Sequence, residues 1–106
     1  MDSDSCTVSL AGDDLKITIA GDFDLIVTPA YRVDVLNQLS SNAVKSIDID
    51  LTGTTFVDSA GLSLILQIYK LGYTDICLRV LAGTQIARAC ELMMFHTLFK
   101  VDVAGA

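Results

Sequence analysis

The chain has 106 residues, enough for one domain that buries roughly 65% of its unfolded surface without a disulfide or structural metal. Seven Lys and Arg against thirteen Asp and Glu give a net charge of −6, a field that repels nucleic acid and anionic lipid and argues against binding either. Apolar residues make up 52% of the chain, yet no run approaches the roughly 18 that a membrane-spanning helix needs, so the excess points to a docking face and not to insertion.

Residues 1–5 are acidic and polar and read as a flexible leader, unlike the basic and then apolar start of a signal peptide. A single domain is expected over residues 6–104. Thr7 to Leu10 and Leu15 to Ala20 flank the turn residues Gly12-Asp13-Asp14, a hairpin signal in which Leu15, Ile17 and Ile19 share one face. A loop is expected at Gly21-Asp22-Phe23-Asp24. Thr28 followed by Pro29 then predicts a helix start capped by the threonine, with Ala30, Val33, Leu36 and Leu39 as its apolar stripe and Ser40-Ser41-Asn42 as its end.

Val44 to Leu51 predicts a strand with Ile47, Ile49 and Leu51 alternating with Asp48 and Asp50. The next helix, Leu62 to Leu71, carries Leu62, Ile65, Leu66 and Tyr69 at helical spacing, and Leu64, Ile68 and Leu71 widen the stripe over most of its girth. Gly72 is a stop signal, Ile76 to Leu81 alternates as a strand, and Thr84 caps a third helix with Ile86, Ala89, Cys90 and Met93 on one face. Phe99, Val101 and Val103 mark the last strand. The expected fold is mixed α/β, in the order β-β-α-β-α-β-α-β, with a four- to five-stranded sheet. Alternation in the strands implies helices on one sheet face and a wetter opposite face, where Asp48 and Asp50 meet Lys16 and Arg79.

Catalytic patterns are weak. Ser59-Ala60-Gly61 supplies the second half of a nucleophile elbow, but Val57 stands where that turn needs glycine, and the only histidine, His96, lies between Phe95 and Thr97 near the end of the last predicted helix. Cys6, Cys77 and Cys90 have no metal-ligand spacing and read as free thiols in a reducing, cytoplasmic compartment. No glycine-rich phosphate loop is present, so neither a metal nor a nucleotide cofactor is expected. What remains is Asp58-Ser59-Ala60-Gly61, at the junction of a strand and an intensely apolar helix. Its serine is a helix cap or a modifiable hydroxyl set at the positive end of a helix dipole, where unpaired N–H groups favour an anion.

The segment from Ile49 to Leu62, IDLTGTTFVDSAGL, resembles the signature of bacterial anti-sigma-factor antagonists, the STAS-domain family. Gly21-Asp22-Phe23-Asp24 is similar to that family's acidic loop, and Leu98-Phe99-Lys100 to its entry into the final strand. The resemblance implies a non-enzymatic binding protein acting in signal transduction and transcription regulation. Its partner would be an anti-sigma factor that is also a serine kinase and supplies the ATP. That kinase would phosphorylate Ser59 and release the antagonist, and a serine phosphatase would reverse the modification. It further implies a partner-binding surface of Asp22, Phe23, Asp24, Thr28, Asp58, Ser59, Ala60, Gly61, Leu62 and Ser63. Ala60 departs from the second serine found in many members, Phe23 is bulkier than the usual aliphatic residue, and the C-terminal helix of many relatives is not present in this sequence. A non-switching STAS scaffold within a transporter or signalling assembly is the alternative, and monomer and weak dimer both stay open.

Overall fold

The computed structural model describes residues 4–105. Seven residues form β1 (Ser5–Ala11), which turns through Gly12 and Asp13 into β2 (Asp14–Phe23). There follow α1 (Thr28–Ser41), β3 (Ser46–Val57), α2 (Ser59–Lys70), β4 (Asp75–Leu81), α3 (Gln85–Leu92), a 3-10 turn (Phe95–Thr97) and β5 (Lys100–Ala104). The five strands lie in sequence order in one sheet, with β1 antiparallel to β2 and every later pair parallel. Parallel neighbours need crossover connections of one hand, and because each successive strand is added on the same side, the crossover helices fall on one face. The expected element order and fold class hold.

Strand periodicity sets which residues those helices cover. Leu15, Ile17 and Ile19, then Ile47, Ile49 and Leu51, then Ile76, Leu78 and Val80 are all buried on the helix side, and Phe23 and Phe95 are buried with them. The opposite face is the wetter one. Lys16 stands beside Asp48 and Asp50 beside Arg79 in register, as expected. Arg79, however, forms its ion pair with Asp102 on β5 at 3.3 Å, and the Asp50 carboxylate turns to Thr52, accepting from its N–H at 2.9 Å and its hydroxyl at 2.7 Å.

Several boundaries and faces differ from the sequence reading. The residues 1–3 of the expected leader lie outside the described residues; Ser5 already belongs to β1, and Asp4 accepts from the Asp22 N–H at 2.9 Å. Gly21-Asp22-Phe23 is the end of β2, not a loop, and β3 runs on to Val57 through the signature segment. Two register shifts between β2 and β3 accommodate this extension, and there the buried positions of β3 space out to Leu51, Thr54 and Val57.

The first long helix is rotated from its expected face. In α1 the buried residues are Thr28, Tyr31, Val35 and Leu39, whereas Ala30 and Val33 are exposed. One residue along a helix is about 100° around it, so a stripe chosen one position off turns the wrong face inward. In α2 the buried Leu64, Ile65 and Ile68 belong to the wide stripe expected there, with Gly61 buried beside them and Leu62, Leu66 and Tyr69 packed against the core, whereas Leu71 lies beyond the helix and is 51% exposed. The cap of α3 is as read, the Thr84 hydroxyl accepting from Ala87 N–H at 3.1 Å; of its expected face Ile86 and Cys90 are buried and Ala89 half-buried, whereas Met93 follows the helix and is exposed.

Candidate functional site

Neighbouring parallel strands end side by side, so the chain leaving β2 and the chain leaving β3 are brought together at one end of the sheet. The first forms the segment 24–27; the second is Asp58, the cap of α2. Asp58 works with both carboxylate oxygens. Oδ1 accepts from Ala60 N–H at 2.9 Å and Gly61 N–H at 3.2 Å, capping the helix, and Oδ2 accepts from Leu25 N–H at 2.9 Å, 33 residues away in sequence. The Asp58 N–H in turn donates to Phe23 C=O at 3.3 Å.

Ser59 is therefore not the cap. It is the first helical residue of α2, exposed, and its hydroxyl makes no hydrogen bond to the described residues. Asp58 also alters the local electrostatics. The amides of Ala60 and Gly61, which a free helix N-terminus would offer to an anion, already face a carboxylate. An anion on Ser59 would compete with that carboxylate instead of entering an empty donor nest.

The remaining expected contacts divide into presented and supporting residues. Asp24, half-buried, closes its own turn: its Oδ1 accepts from Ile26 and Val27 N–H at 3.0 and 3.4 Å. Asp22 is exposed and accepts from the Thr55 hydroxyl at 3.0 Å, on the side of β2 opposite buried Phe23. Ser63 is exposed, and Ala60 and Leu62 are half-buried. Phe23, Thr28 and Gly61 are buried, so they support the surface from beneath and are not displayed on it. Phe23 packs on Tyr31, with ring centroids 6.1 Å apart. Thr28 is the first residue of α1, not its cap, and its hydroxyl donates back to Asp24 C=O at 2.6 Å. At Gly61 a Cβ would stand 2.6 Å from Phe23 C=O and 2.7 Å from Val57 Cγ2, so only glycine lets α2 approach β2 this closely.

Two features escaped the sequence reading. Leu25 and Ile26 are 69% and 86% exposed, an apolar pair whose backbone is bonded at Leu25 to Asp58, the residue before Ser59. Their signal was visible as two large aliphatic residues in a connection, outside any helical or strand period. Gln85, the first residue of α3, pairs with both backbone groups of Val57: its Oε1 accepts from Val57 N–H at 3.0 Å and its Nε2 donates to Val57 C=O at 2.8 Å. The β3–β4 ladder stops at Asp50 and Arg79, and this side-chain amide stands in for the missing strand just before the Asp58 turn.

His96 lies on the 3-10 turn, in a groove of about 620 Å³ whose lining includes Val80, Arg88, Cys90, Val101 and Val103 and none of residues 58–63. It is not placed to serve as a base for Ser59. Burial pushes the Cys90 thiol up to about 11, and burial together with the charge of Asp34 pushes Cys6 up to about 11, so both stay protonated at neutral pH. Among the described residues no helix is long and apolar enough to cross a membrane.

The sequence pattern of the STAS domain matches residues 7–102. The chain belongs to the STAS family. This STAS domain superposes on an anti-sigma factor antagonist from Mycobacterium paratuberculosis with a TM-score of 0.81 at 18% identity, over 94% of this chain and 86% of that one. It also matches the Bacillus cell fate determinant SpoIIAA in its phosphorylated form, with a TM-score of 0.69 at 14% identity over 94% and 93% of the two chains. SpoIIAA in its unphosphorylated form gives 0.66 at 17% identity over 96% and 89%. At these identities the likeness is one of fold. No curated sequence matches the chain.

Proposed function

We propose that this STAS domain is an anti-sigma-factor antagonist, cytoplasmic, that binds an anti-sigma factor with serine kinase activity and is switched off when that kinase phosphorylates Ser59. The observation that carries the reading is the division of labour at the head of α2: Asp58 caps the helix, which leaves the Ser59 hydroxyl exposed and uncommitted. In the modification the Ser59 Oγ attacks the γ-phosphorus of ATP held by the kinase, its proton passes to a base of the kinase, and ADP leaves. This domain contributes the acceptor and its rigid mount.

The charge around the acceptor gives the switch its sign. No Lys or Arg occurs in residues 17–31 or 46–69, while Asp22, Asp24 and Asp58 all lie in these segments. A phosphoryl group adds about −1.5 to −2 charge there, against a dipole benefit of only about 0.3–1 kcal/mol. A kinase partner holds nucleotide phosphates opposite the acceptor, so the phosphoserine meets like charge on both sides. One such charge pair about 5 Å apart costs about 3 kcal/mol at an effective dielectric near 20, more than a hundredfold in affinity before salt screening reduces it. The likeness to both forms of SpoIIAA supports a switch that leaves the fold standing.

The test is incubation with the kinase-type anti-sigma factor of the same organism and ATP, followed by intact mass. One added phosphate that Ser59→Ala abolishes is the expected result, with Ser59→Asp binding far more weakly than the unmodified protein. Modification elsewhere, or equal binding by Ser59→Asp, refutes the reading and favours a scaffold that does not switch.

A further inference from the structure

The segment between β2 and α1 combines two properties that seldom occur together. Its side chains Leu25 and Ile26 are 69% and 86% exposed, yet its backbone amides are all bonded. Leu25 N–H donates to Asp58 Oδ2, Ile26 and Val27 N–H to Asp24 Oδ1, and Thr28 N–H to Asp24 C=O. Every amide from 25 to 28 is bonded. An exposed aliphatic pair on a backbone already held in one conformation forfeits little further freedom on binding, which is the property of an anchor and not of a loose connection. The pair also adjoins the acceptor, because the residue that holds Leu25 is the one immediately before Ser59.

We propose, resting on the function given above, that Leu25 and Ile26 are the apolar anchor that enters a hydrophobic pocket on the kinase partner, and that Asp58 couples this anchor to the state of Ser59. The occupant follows from the chemistry: two aliphatic side chains without a hydrogen-bonding group call for an apolar socket, and their position beside Ser59 makes the protein that phosphorylates it the one that carries the socket. The coupling follows from the two oxygens of Asp58. A phosphoryl group on Ser59 places a second anion next to a carboxylate already shared between the α2 amides and Leu25. Its oxygens compete for the Ala60 and Gly61 amides, and its charge drives the carboxylate to rotate away from the position it shares between them and Leu25. That displacement weakens the acceptor for Leu25 N–H. The anchor then loses its fixed pose in addition to the direct repulsion.

The first measurement needs no partner. Protein carrying phosphoserine at position 59, inserted during translation, is compared with unmodified protein and with Asp58→Asn by residue-resolved hydrogen exchange. Asparagine keeps a carbonyl for the helix amides, where it is a good cap, but turns an NH2 toward the Leu25 donor. In both altered proteins the Leu25 amide is expected to exchange about tenfold faster or more, the loss of one charge-assisted hydrogen bond, with α2 protected beyond its first turn. Unchanged exchange at Leu25 in the phosphorylated protein overturns the coupling.

The second measurement is the rate of Ser59 phosphorylation by the kinase-type anti-sigma factor for the Leu25→Ser/Ile26→Ser variant. These positions are exposed, so the fold is retained. KM is expected to rise about tenfold or more with kcat little changed, because the lost contact is remote from the reacting oxygen. An unchanged KM overturns the anchor while leaving the switch intact. A kinase that modifies the unaltered protein at another residue sinks the proposed function, and the exchange experiment still decides the coupling.

Discussion

Gly61→Ala separates close packing from helix propensity, because the two predict opposite signs. In an exposed helix interior the change gains about 1 kcal/mol. Here the new Cβ would lie 2.6 Å from Phe23 C=O, 2.7 Å from Val57 Cγ2 and 3.0 Å from Phe23 Cδ2, where carbon contacts are comfortable only at about 3.5–4 Å. The carbonyl cannot swing aside, since it accepts from Asp58 N–H at 3.3 Å, and Phe23 and Val57 are both buried. Overpacking of this kind costs about 1–3 kcal/mol, so α2 must shift outward. With the propensity gain offsetting part of it, the variant should lose about 1 kcal/mol and melt roughly 5 °C lower. Thermal unfolding followed by circular dichroism, with a urea titration to verify an unchanged slope, measures it. Gly53→Ala is the control: its Cβ would meet Ala20 Cβ at 3.6 Å, an ordinary contact, and its melting point should move far less. A Gly61→Ala protein as stable as the parent, or more so, refutes the close-approach argument.

Gln85→Ala deletes both bonds to Val57 and should cost about 1–2 kcal/mol, with faster exchange of the Val57 amide as the local signature; protection equal to the parent's would show that the β3 end holds without it. On the outer sheet face, burial and then the neighbouring Asp14 raise the Asp48 carboxyl above its ordinary value. A raised acid penalises the folded state while ionised, and the penalty fades as pH falls through its folded pKa. Asp48→Asn should therefore raise stability at pH 7 by a few tenths of a kcal/mol, the gain shrinking as pH falls toward about 4, as melting curves at the two pH values will record. Cys90, buried with its thiol near 11, should resist a disulfide reagent at pH 8 in the native protein and react fully in urea; rapid native labelling would contradict the packing of α3 on the sheet.

Much of this architecture is written locally. Alternation at Leu15-Ile17-Ile19 and Ile47-Ile49-Leu51 specified the strands and their buried side, and Thr84 announced a helix three residues before its first capped amide. The turn at Asp58-Ser59-Ala60-Gly61 was legible for the same reason, since an aspartate, a serine and a glycine in four positions describe a helix start. The broad stripe of α2 was legible too, since apolar residues occupy most of its girth. The face of α1 was not, because its apolar residues are spread widely enough that periodicity permits several stripes. The choice of Tyr31-Val35-Leu39 over Ala30-Val33-Leu36 was made by the fit of aromatic and branched side chains against the sheet.

The chain order of apolar and polar residues thus determined the elements, the layer arrangement and the place where a modifiable serine could stand, because those signals act over about four residues. Only the folded state decided what that serine does not do. Sheet register carries the end of β2 beside the start of α2, which lets Asp58 cap the helix and hold Leu25 across 33 residues, and it sets Gln85 against Val57 across 28. Sequence spacing does not encode such distances; they arise when parallel strands align and their crossover helices settle on one face.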